Sequence, residues 1–203
     1  MKKILLHSCC APCSSAILEW LVQNDYDTTV YFFDPNIFPR SEYIKRRDEN
    51  IRYCEQLGVE FVDGEYDYKK WRDGVWEFRD EPERGKRCQK CFDIRMIESA
   101  RYASEHGFEL FTTTLATSRW KDLKQVSAAG HAAEAMYPSV KFWDRNWRKG
   151  GLFERRNVLA RQFYNQKYCG CEFSLQNRIE FEARKAAEAK EATKDAGSSS
   201  ILP

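Results

Sequence analysis

The sequence predicts an α/β fold, a doubly wound parallel sheet with flanking helices, and three observations carry that expectation. Short β-branched or apolar runs alternate with longer stretches of helical periodicity. The first such unit is a strand, a polar loop and a helix, the opening step of a parallel sheet. The 203 residues, 42% hydrophobic and 14% aromatic, suffice to bury one core without disulfide staples.

Ile4-Leu5-Leu6 reads as the first strand. It runs into the polar loop from Ser8 to Ser15, and a helix follows with Ile17, Leu18 and Leu21 on one face. Thr28 to Phe33 is β-branched and aromatic, a second strand closed by the turn Asp34-Pro35-Asn36. Ser41 to Leu57 is predicted as a helix. Ser41 is its cap, Ile44, Ile51, Cys54 and Leu57 its apolar stripe, and Gly58 its stop. Cys54 stands alone on that stripe and reads as core packing. Val59 to Val62 is a third strand. A helix from about Cys91 to His106 follows, with Ile94, Ile97 and Tyr102 inward and Gly107 after it. Leu110 to Thr114 is a fourth strand, Lys121 to Met136 a helix, and Val158 to Tyr164 a last helix in the domain. Residues 1–177 are thus expected to form a single α/β domain. From Arg178 to Asp195 five basic and five acidic residues mix with alanines, the pattern of a solvated, marginal helix, and Gly197-Ser198-Ser199-Ser200 reads as a disordered tail.

No apolar run approaches the roughly 20 residues of a membrane span. Only three apolar residues precede His7, too few for a secretory core, so a cytoplasmic protein with no membrane partner is expected. The net charge of +2 is unevenly spread. Residues 141–167 carry eight basic and two acidic side chains, net +6, which leaves −4 for the rest. Phe142, Trp143, Trp147, Phe153 and Phe163 are interleaved with those charges, as in surfaces that meet RNA, although a solvated helix face would look the same.

Eight cysteines are the strongest compositional signal. In a reducing compartment such clustering favours metal or redox chemistry over structural disulfides. Seven fall into three groups far apart in sequence: Cys9-Cys10-x-x-Cys13, Cys88-x-x-Cys91 and Cys169-x-Cys171. Loops at the carboxyl ends of parallel strands converge on one crevice, so the three groups are expected to meet there. With three histidines in the chain, any multi-ligand site is mostly sulfur, which suits iron–sulfur clusters or zinc. Spacing alone leaves an iron–sulfur centre, structural zinc and thiol–disulfide chemistry open.

Several blocks taken in order are more specific. His7-Ser8-Cys9-Cys10-Ala11-Pro12-Cys13, Asp34-Pro35-Asn36-Ile37, Glu42-Tyr43, Lys86-Arg87-Cys88-x-x-Cys91-Phe92-x-x-Arg95, Phe111-Thr112-Thr113-Thr114-Leu115 and Tyr168-Cys169-Gly170-Cys171-x-Phe173-Ser174 together resemble the QueH-type epoxyqueuosine reductases over roughly residues 4–174. The resemblance implies a Rossmann-like fold related to the adenine-nucleotide α-hydrolases. It further implies a [4Fe–4S] cluster, an additional mononuclear iron, and a tRNA carrying epoxyqueuosine at the wobble position as substrate. Turning that epoxide into an alkene takes two electrons and two protons and releases water, so an electron donor, not identified by the sequence, is also implied.

On that basis Cys9, Cys10, Cys88, Cys91, Cys169 and Cys171 are the expected metal ligands, with Cys13 and Asp34 as catalytic candidates. Asn36, Thr112 and Thr113 are candidates for substrate contact near the strand ends. Arg119, Lys121, Arg145, Arg148, Arg155 and Arg156 are candidates for the RNA backbone. His7 reads as a core histidine or a proton donor. Two other classes stay open: a zinc-stabilised RNA-binding module without catalysis, and an ATP-dependent tRNA-modifying enzyme of the same broad fold. The latter expects glycine in the loop after the first strand, where phosphate approaches the backbone, and Ser8 to Cys13 contains none.

Overall fold

The central strand β1 (Lys3–His7) buries Ile4, Leu5 and Leu6 completely, the continuous apolar run of a strand covered on both faces. A computed structural model describes residues 2–118 and 121–198. In it β2 (Asp27–Phe32), β3 (Glu60–Asp63), β4 (Leu110–Thr113) and β5 (Lys141–Phe142) join β1 in one parallel sheet, ordered β3-β2-β1-β4-β5. Ile4 pairs with Thr28 on one side and Leu110 on the other. Chain order reverses at β1, so the carboxyl ends of β1 and β4 flank a crevice.

The helices are α1 (Ala11–Gln23), α2 (Arg40–Leu57), α3 (Tyr68–Val75), α4 (Lys86–Glu105), α5 (Leu123–Met136), α6 (Leu152–Leu159) and α7 (Glu172–Ser198). α1 packs with α2 and α6 on one face, α4 with α3 and α5 on the other, as right-handed crossovers require of this strand order. The doubly wound expectation therefore holds. No helix among the described residues is long and apolar enough to cross a membrane.

Several boundaries differ from the sequence-based expectation for physical reasons. α2 starts at Arg40 with Pro39 in the cap position, so Ser41 lies in the first turn and caps nothing. Its inner face is not the expected aliphatic stripe: Ile44 is 38% exposed, while Glu42, Arg46 and Asn50, each four residues apart, are buried with Tyr43, Tyr53 and Cys54. Gly58 ends it in the left-handed region at φ 65°, as expected. α4 begins at Lys86, five residues early, behind a glycine cap (Gly85) that offers no side-chain signal. Cys91, Phe92, Arg95 and Met96 form its buried face, and Ile94, Ile97 and Tyr102 are half-buried. α6 occupies Leu152–Leu159 instead of 158–164. Gly151, at φ 77°, caps it, Leu152 and Leu159 are buried, and Val158 is exposed. Neither the short α3 nor the two-residue β5 was anticipated. α7 runs without a break across position 178 and includes Gly197 and Ser198; Ser199 and Ser200 lie outside the described residues.

β5 is held by a close helix contact. A Cβ built on Gly130 of α5 would fall 2.2 Å from the Phe142 ring, which itself packs on Phe111. Gly130→Ala is therefore expected to destabilise the fold by about 1–3 kcal/mol through overpacking. Adding Phe142→Leu should restore part of the loss in urea denaturation. An alanine variant as stable as the parent would contradict the contact.

Candidate metal centre

The crevice at the reversal point is where the sulfur collects. Cys9 and Cys10 leave the end of β1, and Cys13 lies in the first turn of α1. Their Sγ atoms all lie within 4.8 Å of one another, with Cys9 and Cys10 3.9 Å apart. All three are buried. Cys9 and Cys13 open, together with Cys88, Cys169 and Cys171, on one cavity of about 600 Å³. Cys91 sits beside it, in an apolar cluster with Trp71 and Val75 against which Cys171 and Phe173 pack. The three sequence-distant groups thus face one space, and the tightest set is Cys9, Cys10 and Cys13. Cys54 stays apart on α2, 1% exposed, its thiol pushed up to about 12 by burial.

Polar contacts fix the first and last of the sulfur-bearing loops. The Cys9 N–H donates to Thr114 Oγ1 at 3.1 Å, and the Thr114 hydroxyl donates to Cys9 Sγ at 3.3 Å. Gln166 Nε2 donates to Cys10 Sγ at 2.8 Å. Arg46, 2% exposed, pairs with Glu42 at 2.8 Å and donates to the carbonyls of Cys169 (3.1 Å) and Tyr168 (3.3 Å). Glu42 in turn accepts the Tyr164 hydroxyl at 2.9 Å. Gly170, at φ 141°, passes so close that a Cβ there would sit 3.1 Å from Asn36 Nδ2 and 3.2 Å from Arg46. Sequence reasoning missed Arg46 and Gln166 as site residues. The Glu42/Arg46/Asn50 spacing was the available signal for the first, and no periodicity marks Gln166.

The electrostatics suit a soft cation. Burial pushes the Cys88, Cys91 and Cys171 thiols up to about 11 and Cys10 well above the usual thiol value, whereas hydrogen bonding from Cys10 lowers Cys9. Burial also raises Asp34 to about 7, against the pull of Arg95, its ion-pair partner. Its Oδ2 is buried without a hydrogen-bond partner. Lys121 and Arg156 line the cavity and form no carboxylate ion pair among the described residues. Burial disfavours the charge on Lys121, but the Cys169, Cys9 and Cys13 sulfurs outweigh it and hold the ammonium above its usual range. Clustered sulfur donors, an orphaned hard oxygen and facing cations to offset thiolate charge fit a thiolate-bound metal.

His7 is fully buried. Its Nδ1 accepts from Thr113 Oγ1 (2.7 Å), which itself accepts the Leu115 N–H, leaving Nε2–H to donate to the Phe33 carbonyl (3.3 Å). Burial lowers its pKa to about 3, so it is a neutral strut joining β1, β4 and the residue that follows β2. Thr113 is spent in that network. Thr112 is spent likewise, accepting Trp147 Nε1 and donating to the Trp143 carbonyl. Asn36 is 2% exposed beneath Gly170.

Among the cationic candidates, Arg145 stacks within 3.9 Å of Trp20 and 4.5 Å of Trp147. Arg148 donates to the carbonyls of Ser118 and Lys121. Arg155 forms a two-pronged pair with Glu19 at 2.7 and 2.9 Å. Lys121 and Arg156 alone of the described candidates reach the cavity. Arg119 lies outside the described residues.

Fold and site together define a Rossmann-like α/β protein with a cysteine-rich centre, able to hold metal, at the reversal point of its sheet. A solved structure described as a predicted subunit of tRNA methyltransferase from Methanocaldococcus jannaschii shares the fold, with TM-score 0.53 at 11% identity, covering 92% of this chain and 89% of its own. The model of the family described as "Epoxyqueuosine reductase QueH" matches residues 4–177. Proteins of that name from Histophilus somni and Haemophilus influenzae are 48% and 46% identical over 177 residues, 86% of this chain and 73% and 72% of theirs. One from Thermotoga maritima is 36% identical over 89% of this chain and 94% of its own. The chain belongs to the epoxyqueuosine reductase QueH family of oxidoreductases.

The buried Asp34–Arg95 pair makes a direct test of the site's scaffold. Arg95→Met leaves a buried carboxyl unpaired and is expected to cost about 3–5 kcal/mol, with Asp34→Asn in the same chain recovering part of it. Denaturant titration of the two variants measures both, and an unchanged single variant would show that the pair carries no stability.

Proposed function

We propose that this chain reduces epoxyqueuosine to queuosine at the wobble position of tRNA, in the cytoplasm, with electrons from a separate donor. The observation that carries the reading is the convergence of three cysteine groups on one cavity, in a chain of this family. In this proposal Cys9, Cys10, Cys88, Cys91, Cys169 and Cys171 hold a [4Fe–4S] cluster and an additional mononuclear iron, with Asp34 and Cys13 beside them. When bound, the cluster supplies single electrons and the additional iron a Lewis acid for the epoxide oxygen.

The chain's own residues do the rest. Asp34, raised to about 7, offers a hard oxygen or a proton near the sulfurs at neutral pH. Arg46, Thr114 and Gln166 fix the sulfur-bearing loops, which keeps the donors in one geometry while electrons pass. Lys121 and Arg156 on the wall attract phosphate. Two protons and two electrons convert the epoxide to an alkene and water.

Anaerobically purified protein is expected to contain iron and acid-labile sulfide, and incubation with a reductant and epoxyqueuosine-containing tRNA to yield queuosine by nucleoside mass spectrometry. Zinc without sulfide, or intact epoxyqueuosine with loaded protein, would overturn the proposal. Cys88→Ser and Cys171→Ser should bleach the visible absorption and abolish turnover, whereas Cys54→Ser should do neither. Arg156→Gln should weaken tRNA binding and flatten its salt dependence, while Arg155→Gln, which loses only its pair with Glu19, should leave both within about two-fold. Equal effects of the two would move the RNA path off the cavity wall.

A further inference from the structure

One wall of the cavity is built by α7. Ser174, Asn177, Arg178 and Phe181 line it. Their spacing of three, four and seven residues puts them on a single helix face. A face turned toward a protein core would carry aliphatic side chains. This one carries a hydroxyl, an amide, a guanidinium and an aromatic ring.

The base of the face is pinned to the sulfur loop. Ser174 is 3% exposed, accepts the Gly170 N–H at 3.2 Å and donates to the Cys171 carbonyl at 2.9 Å. Glu172 pairs with Arg72 at 2.7 Å, and Phe173 lies under the Arg87 guanidinium at 4.4 Å. Seven residues further on, about 10 Å along the axis, Phe181 is 46% exposed and belongs to none of the apolar clusters of the fold. Arg178 is held through Nε by Glu182 at 2.7 Å, with its guanidinium carbon 5.7 Å from the Phe181 ring. Around the cavity six basic side chains (Arg84, Arg87, Lys121, Arg156, Lys167, Arg178) outnumber the acidic Glu83 and Asp122.

An exposed ring beside a guanidinium, on a positively charged wall, is the arrangement that takes a splayed base of single-stranded RNA. We propose that Phe181, flanked by Arg178, stacks on a nucleobase of the anticodon loop next to the nucleotide that reacts at the sulfur centre, which makes α7 part of the substrate site. This rests on the reductase reading above.

The test is fluorescence anisotropy of the metal-loaded protein with an anticodon stem-loop RNA, joined to steady-state kinetics on epoxyqueuosine-containing tRNA. Phe181→Ala should weaken stem-loop binding about five-fold or more, while Phe181→Tyr and Phe181→Trp stay within about two-fold. The loss should fall on KM rather than kcat, with the visible spectrum unaltered. Ile179→Ala, on the same helix but off this face and 52% exposed, should bind like the parent. Parent-like binding by Phe181→Ala, equal losses in Ile179→Ala, or a fall confined to kcat would each overturn the stacking role. If that happens while the parent protein still reduces its tRNA, only this inference falls; a parent that neither binds the stem-loop nor turns over removes the reductase reading with it.

Discussion

A single buried guanidinium ties the last pair of cysteines to the helix that flanks the sheet. Arg46 sits on the inner face of α2, is charge-balanced by Glu42, and grips the carbonyls of Tyr168 and Cys169. Cys169 and Cys171 come from a segment with no strand of its own. The same segment is stitched to the turn after β2 by the Phe38 N–H to the Gly170 carbonyl at 2.8 Å. These contacts, with Glu172 on Arg72 and Phe173 under Arg87, bring the last two cysteines to the carboxyl ends of β1 and β4. Breaking a buried pair of this kind strands the remaining charge and is strongly destabilising.

The same charge logic runs through the rest of the centre. Thiols buried in a low-dielectric crevice stay protonated unless something positive stands near them. Arg46, Arg95, Lys121 and Arg156 are all close enough to feel the sulfurs. Of these, Arg46 and Arg95 have carboxylate partners, Glu42 and Asp34, and are almost wholly buried. Lys121 and Arg156, on the open side, have none among the described residues, so the inner half of the site is electrically closed and the outer half is left attractive to anions. The polarity of the cavity follows from which cations are matched and which are not.

Much of this was legible in the chain, and the exceptions have physical causes. Strands β1 and β2 announce themselves because a strand buried on both faces needs an unbroken apolar or β-branched run, and Ile4-Leu5-Leu6 and Thr28 to Phe33 supply it. β5 is two residues long and is defined by Gly130 making room for Phe142, a tertiary fact with no local pattern. α2 misled because its inward face is polar: it packs against site loops rather than only against core, so Ile44 points out and Arg46 in. α6 was misplaced because its start carries no side-chain cap: Gly151, in the left-handed region, precedes Leu152. The cysteines were readable because ligand chemistry imposes spacing on sequence. Arginines carry no such mark, and Arg145 in its aromatic cage, Arg148 on backbone carbonyls and Arg155 on Glu19 look in one dimension just like Arg156 on the cavity wall.

The distribution of indoles has a practical consequence. Trp20, Trp143 and Trp147 form a mutual cluster at the β5 side of α1, with ring centroids between 5.4 and 5.9 Å apart, around the Arg145 guanidinium. Trp71 is packed instead with Cys91 at the foot of the sulfur centre. Among the five described indoles, three therefore report on the β5 side of α1, while Trp71 reports on the sulfur centre, its neighbour Cys91 being itself a sulfur quencher.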